Sequence, residues 1–112
     1  MQDCVFCKIA AGDIPVSLLY EDEEFLAFSD IQPQAPVHVL VIPRNHYRSL
    51  LEMEETGLLG RALQAVQKTA IALHLEEEGF RTVINTGDNG GQTVHHLHFH
   101  LLGGRFLTWP PG

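Results

Sequence analysis

The sequence predicts an α+β fold, with a five-stranded, mostly antiparallel sheet, one long helix and one short helix. Three observations predict it. Short apolar or alternating segments bounded by turn residues recur along the chain, which is typical of strands. One central segment has helical periodicity instead. Only the connection from the third strand to the fourth contains a long helix, whereas hairpin-length connections join other strands.

Length and charge limit the class of protein. The 112 residues suffice for one domain, covering residues 1–112. Lys and Arg number 7 against 14 Asp and Glu, and no basic run occurs, so we expect no binding to nucleic acid. We see no apolar run long enough for a bilayer and no signal-peptide pattern, and expect a cytoplasmic protein without membrane contact. A small anionic ligand is compatible with this charge, because backbone N–H groups can bind it locally.

The first elements are short. Residues 4–11 predict a helix with Phe6 and Ile9 on its apolar side, and Gly12 ends it. Strands are predicted at 16–20, 25–28 and 37–42. The third of these is rich in β-branched residues, and alternation places His38, Leu40 and Ile42 on one face of the sheet.

The long helix is predicted over residues 54–74. Its apolar stripe recurs every three or four residues, at Leu59, Leu63, Val66, Ala70 and Leu73. A fourth strand follows at 81–85, and a glycine-rich turn at 86–92 leads into the last strand.

The last strand, predicted over residues 95–102, organises the chain. His96, His98 and His100 alternate with apolar residues, so they share one face at spacings of roughly 6.6–6.8 Å. The same alternation places His95 on the apolar face, without a catalytic role. Imidazoles titrate near neutral pH, which makes this row a candidate for chemistry.

Two kinds of chemistry suit the row, and a third interpretation is purely structural. Three neutral imidazoles can bind zinc and leave one position open, as in a metal-dependent enzyme. Alternatively, one imidazole attacks phosphorus while its neighbours donate hydrogen bonds to the charged oxygens. In the structural interpretation the three side chains merely cover an exposed sheet face, although strict alternation makes this the weakest alternative.

The turn before the strand favours phosphate. Gly90 and Gly91 allow close backbone approach to a ligand, and Gln92 and Thr93 add side-chain donors. Glycines also suit any tight turn, so this signal is weak by itself.

Cys4 and Cys7 form a C-x-x-C pair near the N-terminus. One pair is too few to stabilise a secreted fold of this size. From the spacing alone, two reduced thiols on a helical turn and half of a zinc site are both open interpretations.

Several segments resemble the histidine-triad (HIT) superfamily, and in particular its Hint branch. His96-Leu97-His98-Phe99-His100-Leu101-Leu102 matches the superfamily's alternating motif. The resemblance covers essentially the whole chain, and it also includes residues 28–38, 41–43, 90–94, 102–105 and 109–112. It implies a HIT-like fold whose sheets pair across a homodimer into one of ten strands.

The resemblance implies a phosphoramidase that binds purine nucleoside monophosphates or phosphoramidates. Such an enzyme cleaves the P–N bond through a nucleotidyl-histidine intermediate and needs no cofactor for catalysis. By resemblance, His98 is the nucleophile, His100 contacts phosphate oxygens, and His38 assists proton transfer in the histidine network, to which His96 also belongs.

The resemblance also implies nucleotide contacts. Asp30 would bind the ribose, Asn85, Gln92 and Thr93 the phosphate side, and Trp109 would reach the partner's site. The full implied set is Phe6, Ile9, Asp30, Ile31, Leu40, Asn85, Gly91, Gln92, Thr93, Val94 and Trp109. Ordinary core packing is the alternative for Ile9, Ile31 and Leu40, and capping of its own loop is the alternative for Asp30.

Some HIT proteins hold a structural zinc, and the resemblance assigns its ligands to Cys4, Cys7, His46 and His96. The familiar eukaryotic Hint proteins lack the cysteine pair. If His96 is a zinc ligand, that role competes with its role as a catalytic residue.

Two alternative functions stay open. A Fhit-like dinucleoside polyphosphate hydrolase is disfavoured by the Trp-Pro-Pro-Gly tail. A nucleotide-binding scaffold without catalysis is disfavoured by the intact histidine row.

Overall fold

The computed structural model describes residues 3–112 and confirms the predicted α+β architecture. The elements in chain order are helix α1 (Val5–Ala10), strands β1 (Leu18–Glu21), β2 (Phe25–Ser29) and β3 (Val37–Pro43), a 3-10 turn (Leu50–Glu52), helix α2 (Thr56–Ala72), and strands β4 (Phe80–Val83) and β5 (Phe99–Gly103). Within residues 3–112, no helix is long and apolar enough to cross a bilayer.

All neighbouring strands of the single sheet are antiparallel. The strand order is β1-β2-β3-β5-β4, so β3 lies at the centre. In the β3–β5 register, Val39 pairs with Leu101 and Leu40 with His100. This pairing brings His38 beside His100, although the two residues are 62 positions apart in sequence.

The two faces of β3 pack against different elements, as its alternation predicts. Val39 and Val41 belong to the larger core, which includes the buried face of α2. Leu40 and Ile42 belong to a smaller cluster with Phe6 of α1. The sheet therefore separates a structural core from the face that carries α1 and the histidines.

The buried face of α2 differs from the predicted stripe. Val66 and Ala70 are buried as expected, but Leu63 is 51% exposed. Its place toward the sheet is taken by Ala62 and Ala65, which are both fully buried. Small side chains let the helix approach the sheet closely. Close packing, rather than burial of the largest apolar side chain, thus determines which face is buried.

The histidine strand begins later than predicted. Strand β5 starts at Phe99, so His96 and His98 precede it rather than lying on its face. The physical reason is local, because the side chain of His98 bonds the carbonyl of His96 and competes with a strand ladder. His95 is exposed, and its predicted place on the apolar face is therefore wrong.

Candidate active site

A cleft of about 620 Å³ lies on the face of the sheet that carries α1. Most of the predicted catalytic and nucleotide-binding residues line it, from α1, from the ends of β2 and β3, and from the segment before β5. The predicted residues in its lining are Phe6, Ile9, Asp30, Ile31, His38, Leu40, Thr93, Val94, His98 and His100. The fold thus brings together side chains that are far apart in sequence.

His98 has a defined tautomer in this cleft. Its Nδ1 lies 2.7 Å from the backbone oxygen of His96, and a carbonyl only accepts hydrogen bonds, so Nδ1 carries the proton. Nε2 then keeps its lone pair. The ring is 94% buried and packs edge-on against Phe6, with centroids 5.2 Å apart. The result is a fixed imidazole with a free nucleophilic nitrogen.

His38 and His100 form a directed hydrogen-bond chain. The backbone N–H of Gln34 donates to Nδ1 of His38 at 3.0 Å, which leaves the proton of neutral His38 on Nε2. That nitrogen is 2.9 Å from Nδ1 of His100 and donates to it. The proton of His100 therefore sits on Nε2, where it can donate to a ligand in the cleft.

Asp30 has two contacts at the edge of this chain. Its Oδ1 accepts the backbone N–H of Gln32 at 2.8 Å, which is the loop-capping role considered as the alternative. Its Oδ2 lies 3.5 Å from Nε2 of His38, close enough to stabilise that ring when it is protonated.

Burial favours the neutral form of His98 and His100, two of the three imidazoles in the cleft. Desolvation lowers the pKa of His98 from its ordinary value, while the bond to the His96 carbonyl and Asp30 oppose that shift. Desolvation, together with neighbouring His98 and His38, lowers the pKa of His100 to about 4. Neutral imidazole is the form that attack on phosphorus requires.

Four predicted nucleotide contacts lie outside the lining of this cleft: Asn85, Gly91, Gln92 and Trp109. The Gln92 side chain is buried and bonds both its own loop and the backbone of Arg48. Its Nε2 donates to the carbonyls of Arg48 and Val94, and its Oε1 accepts the N–H of Gly87. In this structure Gln92 therefore positions the segment that leads to Thr93.

Gly90 has a steric role in the same loop. A Cβ at Gly90 would lie 2.4 Å from the carbonyl oxygen of Thr86, a distance that real Cβ contacts do not reach. The glycine allows the turn to close on itself. This accounts for the residue without a ligand.

Trp109 is presented by the C-terminal tail. Its side chain is 78% exposed, and the Arg81 guanidinium lies 5.9 Å from the ring centroid. Nη2 of Arg81 also donates to the carbonyls of Leu107 and Thr108, at 3.1 Å each. Strand β4 therefore fixes the tail while the indole faces outward.

Cys4, Cys7, His46 and His96 form a separate cluster, in which one donor atom from each residue lies within 4.8 Å of all the others. Sγ of Cys4 is 3.2 Å from Nδ1 of His96, and Sγ of Cys7 is 3.3 Å from Nδ1 of His46. The two Nδ1 atoms are 3.2 Å apart. The predicted ligand set is thus assembled from the N-terminal, middle and C-terminal parts of the chain.

The donor geometry of this cluster fits zinc. Tetrahedral zinc at its usual ligand distances separates neighbouring donors by about 3.3–3.8 Å, close to the spacings found here. Nε2 of His96 lies 2.9 Å from the carbonyl of Pro43 and donates to it, so the Nδ1 lone pair faces the sulfurs. His96 is completely buried and lies outside the lining of the cleft.

Sequence reasoning missed several contributions to the cleft. Ile14, Pro15 and Val16 line it between α1 and β1, and no feature of the sequence marked them as cleft residues. The N–H of Gln34 sets the tautomer of His38, but it is a backbone group that any residue except proline would supply. Only the three-dimensional fold reveals it.

Fold and cleft together define an α+β protein with a nucleophile-competent histidine in a histidine-lined cleft. The family model for the HIT domain matches residues 11–107. An uncharacterized HIT-like protein of Synechococcus elongatus is 55% identical over 113 residues, covering 99% of this chain and 98% of that protein. The chain belongs to the HIT-domain family.

Two further relatives are similar over nearly the whole chain. The crystal structure of a HIT family hydrolase from Legionella pneumophila has a TM-score of 0.93 and 48% identity, covering 98% of this chain and 100% of that one. A 14 kDa zinc-binding protein of Brassica juncea is 47% identical over 114 residues, covering 98% of this chain and all of that protein.

Proposed function

We propose that this protein is a nucleotide-binding hydrolase that cleaves the P–N bond of purine nucleoside 5′-phosphoramidates. The observation that carries the proposal is the 2.7 Å bond from Nδ1 of His98 to the carbonyl of His96, which leaves Nε2 free toward the cleft. A buried, neutral and fixed imidazole is a suitable nucleophile for phosphorus. The relative described as a HIT family hydrolase supports the reaction class.

In the proposed first step, the lone pair on Nε2 of His98 attacks the α-phosphorus. The P–N bond of the substrate breaks, its electron pair stays on the nitrogen, and an amine leaves with a proton. The His98 phosphoramidate that forms is cationic on the ring, and the carbonyl of His96 stabilises its Nδ1–H. Water then attacks phosphorus and gives up one proton to the His38–His100 pair, while the bond between phosphorus and Nε2 breaks and its electron pair returns to His98. The nucleoside monophosphate then leaves.

In this scheme His100 stabilises negative charge on the phosphoryl group, and the His38–His100 pair supplies a proton to the leaving amine. Nε2–H of His100 donates to a phosphoryl oxygen, and the negative phosphoryl group raises the pKa of the adjacent ring. The His38–His100 pair takes up one proton from solvent when the anionic substrate binds, and Asp30, 3.5 Å from His38, stabilises that proton. That proton is then available to the leaving amine.

The nucleoside would occupy the apolar part of the cleft. Phe6, Ile9 and Leu40 line it, and Ile31 lies at its rim with 94% of its side chain exposed. A purine base placed there would cover this exposed apolar side chain. Asp30 lies beside the base region, and its carboxylate oxygens can accept hydrogen bonds from ribose hydroxyls.

We also propose that Cys4, Cys7, His46 and His96 hold a structural zinc ion that takes no part in the chemistry. The donor spacing and the Pro43 contact of His96 support it, as does the name of the zinc-binding Brassica relative. Zinc when bound would supply a fixed cross-link between four ligands. Because these ligands must stay reduced, we place the protein in the cytoplasm.

We propose a homodimer formed through β4, which would extend the sheet to ten strands. The sheet has two edges, β1 and β4. The β1 edge carries a register irregularity between Leu18 and Tyr20, and such irregularities disfavour edge pairing. Strand β4 is regular, and Phe80 on it is 41% exposed. In this assembly Trp109 reaches the partner's cleft.

Turnover of adenosine 5′-phosphoramidate tests the proposed reaction. The zinc-loaded protein should release adenosine monophosphate, and His98→Ala should lose turnover by at least about 10³-fold because the nucleophile is gone. The exposed neighbour variant His95→Ala is the matched control and should retain activity. Equal rates for wild type and His98→Ala would refute the proposal.

A further inference from the structure

Helix α1 is attached to the rest of the chain by two kinds of contact. The first is apolar, because Phe6 is 7% exposed and packs on Phe28 with ring centroids 5.8 Å apart. The second is a set of three sulfur contacts, from Cys4 to His96 and from Cys7 to both His46 and His96. Among the described residues, no other hydrogen bond or ion pair joins residues 3–14 to the remainder.

Helix α1 is too short to be stable by itself. It has six residues, whereas isolated helices below about 12–15 residues are marginal in water. Its N-terminus is capped by Sγ of Cys4, which accepts the N–H of Cys7 at 3.3 Å. The same sulfur therefore caps the start of the helix and contacts His96. The order of α1 thus depends on the cysteine cluster.

The position of α1 determines the shape of the cleft. Val5, Phe6 and Ile9 on this helix all line it. Phe6 also packs edge-on against both His96 and His98, at 5.8 and 5.2 Å between centroids. A helix released from the sheet would remove one side of the cleft and the edge contact to the nucleophile.

His96 connects the cluster to the nucleophile on the other side. Its Nδ1 faces the sulfurs, its Nε2 donates to Pro43, and its backbone oxygen accepts from His98 at 2.7 Å. One residue thus belongs to both the cysteine cluster and the tautomer-setting contact of His98.

We propose that metal binding at Cys4, Cys7, His46 and His96 fixes α1 as one side of the nucleotide cleft, so that metal and nucleotide bind with positive coupling. The cysteines are positioning residues in this proposal, since they act through α1 and His96. It rests on the proposed nucleotide binding. Coupling of this kind is reciprocal, so the nucleotide must raise the metal affinity by the same factor.

Two measurements on the intact protein test the proposal. Calorimetric titration with adenosine monophosphate should give a Kd that is about 5- to 150-fold weaker for metal-free protein than for zinc-loaded protein. Competition with a zinc chelator should show the reciprocal gain in metal affinity when the nucleotide is present. Equal nucleotide Kd values with and without zinc would overturn the proposal.

Amide hydrogen exchange reports on α1 without any nucleotide. Removing zinc should accelerate exchange in residues 5–11 while α2 and β5 keep their protection. Unchanged exchange in α1 would overturn the proposed attachment, and a general loss of protection in α2 and β5 would overturn its local character. If zinc-loaded protein with a protected α1 binds no nucleotide, the proposed function fails, and with it the coupling, whereas the attachment of α1 stands.

His46→Ala separates loss of the metal from a change in α1 itself, because His46 follows β3. It should reproduce the metal-free exchange pattern and the weaker nucleotide binding. His95→Ala, an exposed neighbour outside the ligand set, should leave both unchanged. Normal α1 protection in a zinc-free His46→Ala protein would contradict the proposal.

Discussion

The side chain of His98 donates its Nδ1 proton to the backbone oxygen of His96 at 2.7 Å. This contact directly links two members of the histidine row. It gives His98 a free Nε2, while the His96 side chain faces the cysteines. The two imidazoles therefore differ in surroundings, and we assign them different functions.

The pH dependence of turnover should reflect the low pKa of His98. Because burial lowers this pKa, the neutral nucleophile persists below the pH at which an ordinary histidine, near 6.5, becomes protonated. We expect the acid limb of kcat/KM to have its midpoint below pH 6.5. A pH–rate profile checks this, with near-UV circular dichroism confirming the fold at each pH. An acid limb with its midpoint above 6.5 would contradict the assignment.

Two glycine substitutions should have opposite effects on stability. Gly90→Ala places a Cβ 2.4 Å from the Thr86 carbonyl and should destabilise the protein by about 1–3 kcal/mol. Gly60→Ala, in α2 with open space around its Cβ, should stabilise it by about 0.5–1 kcal/mol. Urea denaturation measures both. A neutral effect of Gly90→Ala would contradict the described loop geometry.

The dimer proposal predicts a specific sensitivity at β4. Phe80→Asp introduces a charge at the proposed interface. For that reason it should weaken dimerisation on the order of tenfold or more, and each tenfold corresponds to about 1.4 kcal/mol. Leu51→Asp is the matched control, since Leu51 is 77% exposed in the 3-10 turn, away from β4. Sedimentation equilibrium measures the association. Equal weakening by both variants would point to another interface.

The central strands β2 and β3 follow directly from local sequence. In β3, four of the seven residues are β-branched, and alternation along the strand determines its two faces. The buried face of α2 was less predictable, because Ala62 and Ala65 face the sheet while the larger Leu63 does not. Helix orientation depends on the surface opposite, which the helix sequence alone does not contain.

The site was predictable in its side chains but not in its hydrogen bonds. Alternation indicated the histidine row, and the family resemblance indicated the partners of Cys4 across 92 positions of sequence. The late start of β5 was not predictable, because it follows from the His98–His96 contact. The amide of Gln34 was also invisible, since backbone groups have no pattern in the sequence.

The most direct test of the account is to trap the covalent intermediate and locate it. Rapid mixing of the zinc-loaded protein with adenosine 5′-phosphoramidate, quenched under mildly alkaline conditions and followed by peptide mass spectrometry, should show an adenylyl group on His98. The group should appear and decay at rates consistent with turnover. Turnover without any adduct at His98, or with a kinetically competent adduct at another residue, would contradict the assignment of His98 as nucleophile.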